Sequence, residues 1–200
     1  MSDTLSTSHL AAGLADPPHD AQQIFRAILD ATAHPGRIVS LAAAPVGPGT
    51  LSRAATGYLL TLADRDTALW LAPEFDRPEV RDFLRFHAGT PLVVERSEAA
   101  FAGLAADTTE PLDGFNPGTD AYPDRSATLV IEVPELRGGP TRRWRGPGIA
   151  DHANVALDGL PESFWQDCAL NRGLFPGGVD LVFTAGSELC ALPRGILVEN

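Results

Sequence analysis

Lysine is absent from this 200-residue chain, and all fifteen of its basic side chains are arginine. That absence excludes chemistry that needs a lysyl amine: Schiff-base catalysis, a P-loop phosphate clamp and the kinase-type lysine. Cysteine occurs twice, as Cys168 and Cys190, in apolar surroundings and without a CxxC spacing. Two such residues read as small buried hydrophobes rather than as a metal or redox pair. Histidine occurs five times and is scattered. No HxH, HExxH or Cys/His cluster is present, so no metal site is expected. No GxSxG elbow marks a hydrolase nucleophile. No apolar run approaches the roughly 18 residues of a membrane helix. Residues Met1 to Asp20 have no basic residue ahead of their apolar patch Leu10–Ala15, a poor match to an export signal. The cytoplasm is the expected compartment.

Positive charge is also scarce overall. The net charge of −11 disfavours binding to a nucleic-acid backbone or an anionic membrane. The apolar fraction of 44% is that of a globular chain. A chain of this length hides roughly 70% of its unfolded surface, enough for one core without disulfides. We expect a flexible lead over residues 1–19 and a single α/β domain over 20–200.

From residue 20 to 94 the pattern is helix then strand, three times, which predicts a layered α/β sheet. Asp20 opens the first helix, with Ile24, Phe25, Ile28 and Leu29 on its stripe, and His34-Pro35-Gly36 stops it. Arg37–Leu41 is a short strand. Thr50 is the expected cap of a second helix carrying Leu51, Ala54, Ala55, Tyr58, Leu59 and Leu62. Thr67–Leu71 reads as an interior strand because its apolar character is nearly continuous. Asp76 is the expected cap of a third helix, with Pro78 in its first turn, followed by a strand over Thr90–Val94. Residues 98–106 suit either helix or strand. Ala127–Val133 and Thr141–Arg145 read as a hairpin about Gly138-Gly139. Pro161 starts a further helix, and strands follow at Val179–Thr184, Leu189–Leu192 and Ile196–Val198.

Candidate sites come from a few places. Arg143 and Arg145 share a strand face and lead into Gly146-Pro147-Gly148. Two guanidinium groups beside a glycine-rich turn can hold phosphate or phosphonate oxygens. The same run also reads as a charged edge strand that discourages aggregation, or as an interface contact. Asp64 and Asp66 can form a carboxylate pair, or can accept backbone N–H bonds in a turn. Phe175-Pro176 ahead of an apolar strand reads as a rigid turn or as an aromatic anchor between subunits. No complete catalytic constellation emerges, and no catalytic residue is assigned.

The motifs also form a series. Phe25-Arg26 and His34-Pro35-Gly36 come first, then Leu60–Thr67 and Trp70-Leu71. Leu84–His87, Thr90–Leu92 and Gly146–Ala150 follow, and Phe175-Pro176, Gly178–Asp180 and Leu192–Arg194 close the run. This series, over about residues 20 to 199, resembles PhnH, a family of subunits of the bacterial carbon–phosphorus lyase system. Gly177 and Gly195 depart from the pattern, where a bulkier residue and a hydroxyl residue are expected. The resemblance implies a mixed sheet between helices, similar to the pyridoxal-phosphate-dependent transferase fold but without its cofactor site. It implies no cofactor, a homodimer, and a core complex with the G, I and J subunits. That complex uses ATP to form a ribose 1-alkylphosphonate 5-triphosphate, displacing adenine. The nucleosidase step belongs to the I subunit and the radical chemistry to J, so the resemblance transfers no catalytic residue here. Asp64, Asp66, Phe175, Pro176, Asp180 and Arg194 are its signature or interface candidates. The alternative is a stand-alone phosphonate- or nucleotide-binding protein, or a transferase, using Arg143 to Gly148.

Overall fold

The computed structural model describes residues 10–107 and 110–199. Residues 1–9 of the expected flexible lead lie outside the described residues. In chain order the elements are α1 (Pro17–Ala33), β1 (Ile38–Ser40), α2 (Arg53–Leu62), β2 (Leu69–Leu71) and α3 (Pro78–His87). They continue with β3 (Phe101–Ala105), β4 (Thr128–Glu132), β5 (Arg142–Arg145), β6 (Ala153–Val155), α4 (Glu162–Gly173), β7 (Asp180–Ala185), β8 (Glu188–Leu192) and β9 (Leu197–Glu199).

Helix starts fall a few residues from the expected caps. Helix α1 begins at Pro17, and the Asp20 carboxylate accepts the backbone N–H of Asp16 (2.9 Å). Helix α2 is capped by Ser52, whose Oγ accepts from Ala55 N, rather than by Thr50. Arg77 precedes α3, and Asp76 instead pairs with Arg81 across its first turn. Ahead of α1, the Ala11 carbonyl lies 3.0 Å from His87 Nε2, so the chain is already docked there.

Among the described residues the strands form two sheets. The larger runs β1-β8-β7-β4-β3-β2, with β2, β3, β4 and β7 parallel, β8 antiparallel to β7, and β1 antiparallel to β8 at the edge. The mixed α/β sheet is therefore as expected. The smaller sheet runs β6-β5-β9.

Three strand expectations change. First, β4 and β5 are not a hairpin: β4 lies between β3 and β7, whereas β5 pairs with β6 and β9. Gly139 serves a close approach instead, because a Cβ there would sit 2.0 Å from the Leu157 carbonyl oxygen. Second, Thr90–Val94 reduces to one parallel bridge, Leu69 to Leu92. Pro91 has no N–H to extend the ladder, and its carbonyl accepts from Leu69 N. Third, β2 is an edge strand rather than an interior one, although all its residues are buried. The ambiguous stretch 98–106 is resolved as β3, in the middle of the parallel set.

Register fixes the two faces of the large sheet. Phe101, Thr128 and Asp180 line up on one face, as do Glu132 and Thr184. Helix α2 covers that face, with Tyr58 edge-on to Phe101 and α1 packed beside it. The opposite face carries Leu129, Ile131, Leu181 and Phe183. Phe164 and Trp165 of α4, and Trp144 of β5, pack there around Phe183.

Candidate functional site

The Asp180–Arg194 pair is built by the β7–β8 hairpin. Leu181 stands opposite Leu192, so the start of β7 and the residues just past β8 meet. Arg194 donates its backbone N–H and Nε–H to Asp180 Oδ1 (2.8 and 3.1 Å) and Nη2–H to Oδ2 (2.6 Å). Its Nη1 donates to the Pro123 carbonyl (2.6 Å), so one guanidinium ties the hairpin to a distant loop. Bidentate charge-assisted bonds of this kind are the strong class.

The Phe175-Pro176 bond is cis, and a buried side chain and a backbone hydrogen bond hold the residues that follow it. Asn171, buried in α4, donates to the Val179 carbonyl and accepts from its N–H. Gly178 N–H donates to Pro117 (2.8 Å). Phe175 is left outward, with the Arg172 guanidinium 5.0 Å from its ring centre. Sequence reasoning named Asp180, Arg194, Phe175 and Pro176 separately. Their common location, one end of β7, needed the hairpin register.

Arg194→Met is expected to cost about 1.5–3 kcal/mol, since Asp180 would lose its cation in a half-buried setting. Urea denaturation of both proteins measures it. A loss no larger than that of an exposed arginine such as Arg137→Met would show that the pair does not brace the domain.

Alternation along β5 turns Arg142 and Trp144 inward and Arg143 and Arg145 outward. The inward Arg142 donates to Glu162 (2.5 Å) and lies 4.8 Å above the Trp165 ring, fastening α4 to the small sheet. That role was missed, because period-2 alternation in a run of three arginines does not say which face is buried. Arg145 approaches Glu199 to 3.6 Å, and Arg143 stands opposite Asn154 and Glu199. The Asp151 carboxyl is held below the ordinary carboxylate range, mainly by His152 at 2.7 Å and further by the charges of Arg145 and Arg143.

The glycines of this corner meet protein closely. A Cβ at Gly146 would lie 2.8 Å from Ile196, and one at Gly148 would lie 2.2 Å from the Ala33 carbonyl oxygen. An anion arriving at Arg143 and Arg145 would compete with Glu199 and Asp151.

Asp64 and Asp66 sit in the turn between α2 and β2. Asp64 Oδ1 accepts from Asp66 N (2.9 Å) and from the Thr67 hydroxyl (3.1 Å), which is how a turn-forming aspartate behaves.

A feature without a sequence signal is a cleft of about 860 Å³ beyond the carboxyl ends of β3 and β4, lined by Thr50, Glu74, Phe75, Asp107 and Glu132 among others. Crevices there are common ligand positions in parallel sheets. Glu132 accepts the Ser52 backbone N–H at 2.5 Å, at the start of α2. Burial raises its pKa, opposed by that hydrogen bond. A carboxyl raised on folding holds its proton more tightly in the native state. Stability therefore falls as pH rises from the ordinary glutamate range through the raised value. Glu132→Gln is expected to flatten that slope, as read from urea midpoints between acid and neutral pH. Identical slopes would mean that Glu132 titrates alike in both states.

Cys168 and Cys190 are both free and buried. Burial raises both thiol pKa values, that of Cys190 to about 12, which removes the reactive thiolate. Among the described residues no group of three His, Cys, Asp or Glu side chains is arranged to hold a metal ion. None of the described helices is long and apolar enough to cross a membrane.

Comparison with known proteins places this geometry. The family model described as "Bacterial phosphonate metabolism protein (PhnH)" matches residues 12–199. The chain is 39% identical over 198 residues to "Alpha-D-ribose 1-methylphosphonate 5-triphosphate synthase subunit PhnH" of Rhizobium meliloti (strain 1021), covering 98% of this chain and 99% of that one. It is 30% identical over 175 residues to "Putative C-P lyase subunit protein HtxG" of Stutzerimonas stutzeri, covering 86% of this chain and 83% of that relative. With the family match spanning nearly the whole described domain and the 39% identity running almost end to end, the chain belongs to the PhnH family of bacterial phosphonate metabolism proteins.

Proposed function

We propose that the chain is a non-catalytic, structural subunit of a carbon–phosphorus lyase core complex. In that role it is needed for ATP-dependent formation of a ribose 1-alkylphosphonate 5-triphosphate during phosphonate catabolism. The observation that carries the reading is the near full-length, 39% identity to a relative named as a subunit of the methylphosphonate triphosphate synthase. Three of the polar side chains singled out from the sequence support it, because they are engaged in holding the fold. Asp64 closes a turn, and Asp180 and Arg194 neutralise each other.

The proposed partners are a second copy of the chain and the G, I and J subunits. The proposed location is the cytoplasm, where ATP is available. We further propose kinship of the large sheet with the pyridoxal-phosphate-dependent transferases, without their cofactor. The absence of lysine supports the second half of that statement.

The test is a reconstitution. The G, I and J subunits are assayed for product from ATP and methylphosphonate with and without this chain, and the chain is assayed alone. Product that depends on the chain only in the mixture supports the reading, and turnover by the isolated chain overturns it. Calorimetry with ATP and methylphosphonate addresses the alternative at Arg143, Arg145, Gly146 and Gly148. Saturable binding that disappears in Arg145→Ala would favour a ligand-binding protein.

A further inference from the structure

Helix α4 is apolar on two sides. Phe164, Trp165 and Cys168 are buried against the sheet. On the other side Leu170 is 72% exposed, and Leu174 and Phe175 are more than half exposed. Leu170 and Leu174 are four residues apart, which stacks them on one stripe.

Beside the stripe lies a groove of about 290 Å³, between α4 and the 3-10 turn Leu112–Gly114. Leu112, Phe115, Pro117 and Val179 make its apolar lining, and its ionisable lining residues are Asp113 and Asp167. Of the nearby cations, Arg172 is spread over the Phe175 ring, and Arg96 lies 5.7 Å from the Phe115 ring centre and is paired with Glu110. Contiguous apolar surface of this kind, next to a concave site, is unfavourable in water and marks a contact surface.

Resting on the subunit reading above, we propose that the Leu170–Leu174–Phe175 stripe and its groove receive a different subunit of the assembly, which inserts a bulky apolar side chain flanked by arginine or lysine. The carboxylates of Asp113 and Asp167 determine the charge of the occupant. A second copy fits poorly, since the chain carries a net charge of −11. Symmetric pairing on this face would bring the same carboxylates together from both sides. A homodimer of this chain therefore uses another surface. Aromatic and leucyl anchors in such grooves supply most of the binding energy, and the charges supply partner choice.

The experiment co-expresses the full chain with the G, I and J subunits, with the affinity tag on one of those three. The wild-type chain is expected to be retained and the Leu170→Asp/Leu174→Asp variant to lose at least about tenfold in retention. Asp113→Arg/Asp167→Arg is expected to weaken retention as well, through the flanking charges. Should the aspartate pair fail to fold by circular dichroism, Leu170→Ala/Leu174→Ala removes the stripe without adding charge and is expected to show the loss.

Full retention of a folded stripe variant beside a retained wild-type chain overturns the docking surface and leaves the subunit reading intact. Failure of the wild-type chain to be retained overturns the subunit reading itself. Sedimentation of the isolated wild-type chain as a dimer, with the stripe variant a monomer, assigns the surface to a second copy and overturns the choice of partner.

Discussion

Phe183→Ala is expected to destabilise the domain by about 3–5 kcal/mol, the range for an aromatic ring removed from a closed core. Phe183 is fully buried in β7 and is touched from three directions. Its ring centre lies 6.0 Å from that of Phe164, 6.4 Å from Trp165 and 6.5 Å from Trp144. Those partners belong to α4 and to the small sheet, so one ring couples the large sheet to both layers above it. Alanine would leave a cavity that the large surrounding rings refill only in part. For a chain of this size the melting temperature should drop by roughly 6–20 °C. Phe86→Ala, at an exposed position, is the control and should stay within about 0.5 kcal/mol of wild type. Equal effects of the two substitutions would mean that the layers do not share a core.

Gly148→Ala is expected to cost about 2–4 kcal/mol, from two sources. Gly148 has φ of +83°, which a Cβ disfavours. The added methyl would also meet the Ala33 carbonyl oxygen at 2.2 Å and Pro35 Cδ at 2.9 Å, both parts of the turn that ends α1. Backbone on the far side cannot yield as a flexible side chain can, so the corner must open. Scanning calorimetry checks the loss. An unchanged melting temperature would show that the Arg145–Ile149 segment is not packed against α1, and would restore it as an open turn free to cradle an anion.

Much of the fold was legible because helical stripes and apolar strands are local signals. Ile24 and Ile28, Ala54, Ala55, Tyr58 and Leu59, and Val80, Phe83 and Leu84 are buried as their spacing indicates, whereas Phe25 and Leu29 of the first stripe lie at its edge and stay 43% and 50% exposed. Strand pairing is not local, and there the reading failed. Gly138-Gly139 looked like a hairpin turn, yet Gly139 answers to the backbone of residues 157–158 pressing against it. The short strand β6 had no assignment from the sequence, since Ala153, Asn154 and Val155 carry no alternation strong enough to mark three residues.

The candidate site divides in the same way. The residue types at Asp180 and Arg194 were visible, but not their three-bond union, which depends on the return of β8 beside β7. Arg142 was passed over in favour of Arg143 and Arg145, because burial of a guanidinium depends on Glu162 and Trp165 arriving from another element.

The most direct test of the account is size-exclusion chromatography of this chain co-expressed with the G, I and J subunits. The account predicts that the chain elutes with them in fixed stoichiometry and that their methylphosphonate-dependent consumption of ATP falls when it is omitted. A chain that elutes alone, and whose omission leaves that activity unchanged, would contradict the central claim.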